Sequence, residues 1–248
     1  MRTLENEAAL TGKILNNGVI YTPALPKISI PLTRPKIIYL RRGSLIVCEG
    51  ISGSGKSENV RRICEYLKSI QMKYIRFEWN SNKIVRRIIY TLERIHLLNS
   101  NLYSMLQWFS FMFDYYFIIS KALRKNYVVV ADRYIYTAIT RDRVNKACDL
   151  ISRFFYRFFR KPDIIFFHNT NPLICEKRIR ERNKKLFHTN RSIQKDPDIV
   201  NKNYYYLQQL HNVYEELIHH LKQKEQRTNI LLVNDESLFI CKRGICNE

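Results

Sequence analysis

Long apolar runs are missing from this chain of 248 residues. No window approaches the roughly 20 uninterrupted apolar residues that a membrane-spanning helix needs, so we expect no membrane segment. The N-terminus carries Glu5 and Glu7 and has no apolar core region, which argues against a signal peptide. These absences predict an intracellular protein, and we expect it in the cytoplasm.

Clustered metal ligands are also missing. The six cysteines are scattered, mostly in apolar stretches, and only Cys241 and Cys246 lie close together. No further ligands follow that pair in register, so it does not predict a metal site. In a long chain without a secretion signal, such cysteines are typical of reduced core residues.

Acidic residues are scarce, because 22 Asp and Glu stand against 42 Lys and Arg, which gives a formal net charge of +20. Such an excess is typical of nucleic-acid binders, of proteins with polyanionic nucleotide substrates, and of proteins with a basic solvated surface. Nucleic-acid binding is the less favoured interpretation, since the chain has no uniform Lys/Arg tail and many basic residues lie on predicted exposed helix faces.

The composition, 46% hydrophobic and 12% aromatic, is sufficient for one α/β domain of ordinary size. Residues 1–43 contain four prolines between positions 23 and 35, which favours an extended segment over a helix. We therefore predict an N-terminal extension over residues 1–43 and a single domain over residues 44–248.

A short apolar run, residues 44–49, leads directly into Gly50-x-x-x-x-Gly55-Lys56-Ser57, which is the phosphate-binding P-loop pattern. The glycines let backbone N–H groups approach a polyphosphate, and the helix that follows adds its positive end. Lys56 supplies charge for the β and γ phosphates, and the Ser57 hydroxyl is suited to ligate Mg²⁺. The pattern predicts a nucleoside triphosphate site formed by Gly50, Ser52, Gly53, Ser54, Gly55, Lys56 and Ser57.

Apolar residues recur at spacings of three and four after Lys56, which predicts a helix, and residues 73–79 predict a second strand. Strand, loop, helix and strand form a βαβ unit, so the sheet is predicted to be parallel. Further strands are predicted at 127–131, 163–167 and 229–233, and further helices at 84–98, 102–123, 172–182 and 199–224. The helix at 102–123 is aromatic on nearly every face, so we expect it to be buried on more than one side.

An acidic and a basic residue, Asp132 and Arg133, follow the predicted strand at 127–131. Ligands of open parallel sheets bind at the carboxyl ends of the strands, so Asp132 is expected to face Mg²⁺ together with Ser57. Arg133 is suited to bridge phosphoryl oxygens. The alternative is that Asp132 caps the next helix while Arg133 is solvated.

Basic residues dominate the end of the predicted helix at 172–182 and the segment 183–195 after it. Arg178 and Arg182 stand four apart and so share one helix face. Phosphoryl transfer needs positive charge around the phosphoryl oxygens and exclusion of water, which makes both arginines catalytic candidates and residues 183–195 a candidate lid. A solvated charge run is the alternative.

Three blocks, Gly50 to Ser57, Ala131 to Thr137 and Pro162 to Arg180, resemble in order and spacing the conserved blocks of the thymidylate kinase family. The resemblance extends over about residues 44–234. It implies a P-loop kinase fold: a five-stranded parallel sheet of order 2-3-1-4-5, flanked by helices and carrying a lid. It also implies ATP- and Mg²⁺-dependent transfer of the γ-phosphoryl group to a nucleoside monophosphate, either dTMP or a related nucleotide.

The resemblance further implies roles for individual residues. Lys56 and the loop amides would bind the phosphates of ATP, Ser57 and Asp132 the metal, and Arg133 the transferring phosphoryl group. Thr137 and Glu78 would lie on the acceptor side. The helix at 102–123 would supply an aromatic ring, Trp108 or Phe111, that stacks on the acceptor base, and the same helix would form a homodimer interface.

The chain departs from the family on the acceptor side. Ser52 stands where family members usually carry an acid, Phe77 stands where they carry an arginine, and no arginine occurs among residues 110–116. The donor half is therefore predicted to be intact and the acceptor half to have diverged. The alternatives are a kinase of the same fold for a nucleoside or another small molecule, and a P-loop ATPase that binds nucleic acid.

Overall fold

The computed structural model describes residues 39–79, 82–183, 186, 193, 196–224, 227–233 and 242–243. They belong to two units. In the smaller unit the strands Tyr39–Leu40 and Lys242–Arg243 pair in parallel. The larger unit begins at Arg42 and contains every element described below. Most of the predicted extension over residues 1–43 lies outside the described residues, so that boundary stays a prediction.

A five-stranded parallel sheet forms the centre of the larger unit. Its strands are β1 (Leu45–Glu49), β2 (Tyr74–Glu78), β3 (Val128–Asp132), β4 (Ile164–His168) and β5 (Asn229–Val233). Their spatial order is 2-3-1-4-5, which confirms the predicted fold. Strands β1, β3 and β4 are buried along their whole length, as their nearly unbroken apolar sequences predict.

The strand register brings the carboxyl ends of the three central strands together. Cys48 of β1 pairs with Asp132 of β3 on one side and with Phe166 of β4 on the other. The chain enters the P-loop directly after β1, so the loop and Asp132 lie at the same edge of the sheet.

Eight α-helices of the larger unit have described bounds. They are α1 (Lys56–Ser69), α2 (Lys83–Arg94), α3 (Ser100–Asp114), α4 (Ser120–Arg124), α5 (Ile135–Val144), α6 (Asp149–Tyr156), α7 (Pro172–Glu181) and α8 (Lys202–Lys224). A π-helical turn, Tyr115–Ile119, joins α3 to α4, so the predicted helix at 102–123 is interrupted.

The sequence did not predict α5 and α6. Most residues of α5 are buried, including Thr137, Thr140 and Asp142, so the helix has no polar face that would reveal a helical period. Helix α6 has only eight residues, too few for a period of 3.6 to be distinguished.

Helix α3 presents aromatic residues both to the core and to solvent. Trp108 and Phe111 are buried, whereas Phe109, Phe113 and, in the π-helical turn, Phe117 are 42%, 55% and 71% exposed. The prediction that this helix is buried on more than one side is therefore only partly correct, because one apolar face of the segment is exposed to solvent.

Four cysteines lie in the described part of the chain, and they are free thiols. Cys48, Cys64 and Cys175 are free and buried, as predicted for reduced core residues, and Cys148 is free and exposed. Cys241 and Cys246 lie outside the described residues. None of the described helices has both the length and the hydropathy that a bilayer crossing requires.

Candidate active site

The P-loop passes between neighbouring elements so closely that two of its glycines cannot be replaced without displacement. A Cβ atom at Gly50 would lie 2.7 Å from the carbonyl oxygen of His168, and one at Gly53 would lie 2.6 Å from that of Cys175. Both glycines also have positive φ angles, 141° and 86°. The glycines therefore serve the packing of the loop against β4 and α7 as well as its approach to phosphate.

Lys56 is the first residue of α1, and its amine points back into the P-loop. It donates hydrogen bonds to the carbonyl oxygen of Ile51 and, at 3.1 Å, to the hydroxyl of Ser54. The side chain is buried, and this burial, with Arg133 as the second cause, lowers the pKa of Lys56 to about 7. The amine is thus held by loop oxygens at the position where the phosphates of a nucleotide are expected.

Ser57 and Asp132 meet across the gap between α1 and β3. The Ser57 hydroxyl donates a hydrogen bond of 2.6 Å to the Asp132 carboxylate. The described residues contain no group of three His, Cys, Asp or Glu side chains that could hold a metal ion alone. Two oxygen donors beside a phosphate-binding loop suit Mg²⁺, which usually takes its remaining ligands from phosphates and water. The residues present therefore fit this metal.

Arg133 joins the P-loop to the start of α5. Its guanidinium donates to the Gly50 carbonyl oxygen at 3.0 Å, to the Ser52 hydroxyl at 3.1 Å and to the Thr137 hydroxyl at 3.3 Å. The backbone of Arg133 is left-handed, with a φ of 76°, a conformation that costs a non-glycine residue about 1–2 kcal/mol. The surrounding contacts therefore maintain a strained backbone that directs a cation onto the loop.

Glu49, the last residue of β1, is a site residue that the sequence reasoning missed. Its carboxylate accepts hydrogen bonds from the Tyr134 amide at 2.7 Å, the Thr137 hydroxyl at 2.7 Å and the Tyr214 hydroxyl at 2.9 Å. Burial raises the pKa of Glu49, and Arg133 is the first of the groups that oppose this shift. An acid inside an otherwise apolar strand was the signal available, since glutamate is almost never fully buried unless it is paired.

Helix α7 brings Arg178 to the P-loop. Pro172 begins this helix and the Asn171 side chain caps it. The Arg178 guanidinium donates to the Gly53 carbonyl oxygen at 3.3 Å. Arg182 is exposed at the C-terminal end of the helix. Most of the predicted lid, residues 183–195, lies outside the described residues.

The residues predicted for the acceptor side occupy quite different environments. Thr137 is buried against Glu49, Arg133 and Tyr214, whereas Glu78 is exposed at the end of β2. Trp108 is fully buried, donates to Asp142 at 2.8 Å and stacks on Phe155 and Phe159.

Phe111 is also in the core, where it stacks on Trp79 with ring centroids 4.5 Å apart. The rings of Tyr134 and Phe159 also contact Phe111, at interplanar angles of 84° and 62°. Neither Trp108 nor Phe111 therefore has an exposed face for a nucleotide base. Sequence alone could not reveal this, because a core aromatic and a ligand-stacking aromatic have the same helical pattern.

Known proteins resemble this chain in sequence over the residues that form the site. A sequence model of one protein family, described as thymidylate kinase, matches residues 48–231 of the chain. The chain is also similar to "Probable thymidylate kinase 2" of Saccharolobus solfataricus, with 35% identity over 146 residues, which is 58% of this chain and 68% of the relative. The family match includes the last two residues of β1, the P-loop, Asp132 and Arg133, and all of α7.

Proposed function

This chain belongs to the thymidylate kinase family and is a nucleotide kinase, and on this premise we propose that it transfers the γ-phosphoryl group of ATP, with Mg²⁺, to dTMP or a closely related nucleoside monophosphate. The observation that carries the proposal is the convergence of Lys56, Arg133 and Arg178 on the P-loop beside the Ser57–Asp132 pair. Phosphoryl transfer relies on positive charge around the phosphoryl oxygens and on a bound metal ion, and these residues supply cations and oxygen ligands for both.

On the donor side, the loop amides and Lys56 bind the phosphates of ATP. Lys56 exchanges its bonds to the Ile51 carbonyl and the Ser54 hydroxyl for bonds to phosphate oxygens. Ser57 and Asp132 would hold Mg²⁺, which neutralises phosphate charge when bound. Arg178 approaches the same loop from α7 and adds positive charge to it.

On the acceptor side, Arg133 orients the group that is transferred. Its bonds to Ser52 and Thr137 place the guanidinium between the P-loop and α5, where it can contact donor and acceptor phosphates together. Charge stabilisation by a preorganised guanidinium, without a covalent intermediate, suffices for this chemistry. Glu49 maintains that geometry by holding the amide of Tyr134, the residue after Arg133.

A homodimer is part of the same proposal. Phe109, Phe113 and Phe117 leave an exposed apolar face on α3 and the following turn, and Phe154 of α6 is 59% exposed beside Phe155, whose ring contacts Phe109. Exposed apolar faces of this kind are typical of protein interfaces. Sedimentation of the wild type should give a dimer, and Phe113→Lys should give monomers.

A phosphotransfer screen tests the proposed function. ADP formation is measured with ATP, Mg²⁺ and each of dTMP, dUMP, dGMP, dCMP, dAMP and thymidine, with Lys56→Ala as the inactive control. We expect stoichiometric diphosphate product with at least one monophosphate. Turnover with thymidine alone would favour a nucleoside kinase, and turnover stimulated only by single-stranded DNA or RNA would favour a nucleic-acid-dependent ATPase.

A further inference from the structure

A tyrosine of helix α8 reaches the polar atoms behind the transfer site. The Tyr214 hydroxyl donates a hydrogen bond of 2.9 Å to Oε2 of Glu49 and lies 2.8 Å from the Thr137 hydroxyl. The Thr137 hydroxyl donates to the same Oε2 at 2.7 Å. Three oxygen atoms, one each from β1, α5 and α8, therefore lie within hydrogen-bond distance of one another. We call these three atoms the oxygen triangle.

Solvent does not reach the oxygen triangle. Glu49 and Thr137 are 0% exposed, and Tyr214 is 1% exposed. Burial raises the pKa of Tyr214, so its hydroxyl keeps its proton at physiological pH. The Tyr214 ring packs against Phe167 of β4 with ring centroids 5.8 Å apart, so the side chain is fixed at its ring as well as at its hydroxyl. In such an enclosed site, hydrogen bonds strongly determine where the polar atoms lie.

The oxygen triangle orients the Thr137 hydroxyl. A hydroxyl donates one hydrogen bond and accepts two. Since Thr137 donates its proton to Glu49, its oxygen is left as an acceptor, and it accepts from the Arg133 guanidinium at 3.3 Å. The contact with Tyr214 lies on the remaining side of the same oxygen. The hydroxyl is therefore directed so that a lone pair faces the guanidinium.

This arrangement gives Arg133 an indirect counter-charge. Within the residues that the structure describes, no carboxylate forms an ion pair with Arg133. Glu49 lies one hydroxyl away, and the two charges still act on each other: burial raises the pKa of Glu49, and Arg133 is the largest influence in the opposite direction. A guanidinium has five N–H groups, and the three described hydrogen bonds leave two of them for phosphoryl oxygens.

We propose, building on the proposed function, that Tyr214 is a positioning residue for phosphoryl transfer, which acts on Arg133 through the Thr137 hydroxyl. By fixing the Thr137 oxygen, Tyr214 fixes the direction in which the guanidinium presents its free N–H groups. A displacement of about 1 Å in a group that orients the substrate can lower the rate by about 10²-fold. Helix α8 also packs against α7, which carries Arg178, so one helix supports both elements that bring a guanidinium to the P-loop.

Steady-state kinetics with the monophosphate that reacts fastest in the phosphotransfer screen test this role. Tyr214→Phe removes one oxygen atom and keeps the ring against Phe167. It should lower kcat about tenfold, while the KM for ATP changes by less than about twofold. Tyr206→Phe, at a buried tyrosine of the same helix outside the oxygen triangle, is the matched control and should leave kcat within about twofold of the wild type. A wild-type kcat in Tyr214→Phe would overturn the proposal.

A double-mutant cycle asks whether Tyr214 acts through Thr137. Thr137→Val removes the hydroxyl and should itself lower kcat about tenfold, so adding Tyr214→Phe should lower kcat by less than about twofold more. A second tenfold fall in the double variant, which independent effects would give, would overturn the proposed route.

Thr137→Ser keeps the hydroxyl and should retain most of the wild-type kcat. The serine and valine variants decide the matter if Tyr214→Phe does not fold, and equal kcat values in the two would overturn the proposal.

Melting temperatures separate positioning from a purely structural role. A structural role would lower the melting temperature of Tyr214→Phe and leave the kcat of the folded enzyme unchanged, which would refute the positioning role and leave the kinase assignment intact. Absence of transfer to every monophosphate by the wild type would instead refute the proposed function and this inference with it.

Discussion

Nucleotide binding should take up a proton at Lys56. In the protein without nucleotide, burial and the nearby Arg133 lower the pKa of this amine to about 7. Bound phosphates supply negative charge at the amine and raise its pKa towards the usual range of lysine. The complex therefore binds more protons than the free protein between about pH 6 and the raised pKa of Lys56 in the complex, and the two bind nearly equally many below about pH 6.

The size of the effect follows from that pKa. At pH 8 about nine-tenths of the free protein carries a neutral Lys56, so binding of ATP should take up about 0.9 proton, against about 0.1 at pH 6. Affinity for ATP should be nearly independent of pH below about 7. Above it, affinity should fall by up to tenfold per pH unit, because the proton must then be acquired from solvent.

Calorimetry in two buffers of different ionisation enthalpy measures the proton uptake directly. Lys56→Arg is the control, since a guanidinium stays charged throughout this range and should remove the uptake at pH 8. An uptake near zero in the wild type at pH 8, or equal uptake in the wild type and the arginine variant, would refute a buried, neutralised Lys56.

The remaining predictions concern the metal pair, the P-loop and one buried acid. Asp132→Asn should lower kcat by about 10²-fold or more in steady-state assays while the fold survives in circular dichroism, because a preorganised charge is lost; near wild-type turnover would contradict its role. Gly53→Ala should raise the KM for ATP about tenfold or more, since its Cβ would meet the Cys175 carbonyl. Gly55→Ala should raise this KM less, because nothing lies within 4 Å of its Cβ. An equal rise in both variants would contradict the packing argument. Asp114→Asn should raise the melting temperature at pH 8 by a few degrees, because burial raises the pKa of Asp114 to about 6 and Oδ2 has no hydrogen-bond partner in the described structure. As the pH rises from about 4 to about 7, the free energy of unfolding of the wild type should fall, because the folded state holds this proton more tightly than the unfolded state. A free energy of unfolding that does not change over this range would contradict the prediction.

The donor side could be predicted from sequence because its parts are local. The P-loop residues follow one another, and Asp132 follows a strand whose β-branched sequence identifies it. Parallel strands align their carboxyl ends, so Ser57 and Asp132 were expected to meet, and they do at 2.6 Å. For these residues, chain order and sheet geometry determine proximity without knowledge of the packing.

The acceptor side could not be predicted because its parts come from distant segments. The resemblance implied that Trp108 or Phe111 would stack on the acceptor base, but Phe155 and Phe159 pack on the first ring and Trp79 on the second. Those contacts depend on how α3 lies against α6 and the sheet, which no local pattern encodes.

The stacking of Trp79 on Phe111 provides an optical reporter. The chain has only two tryptophans, and the backbone amide of Trp79 donates to the Asp132 carbonyl at 3.1 Å. The backbone of Trp79 is therefore bonded to the strand end that carries the proposed metal ligand, and both tryptophans lie in the same hydrophobic core. Replacing Trp108 by phenylalanine leaves Trp79 as the one tryptophan, so we expect its emission, excited selectively over the 16 tyrosines, to change when nucleotide and metal bind at this edge of the sheet.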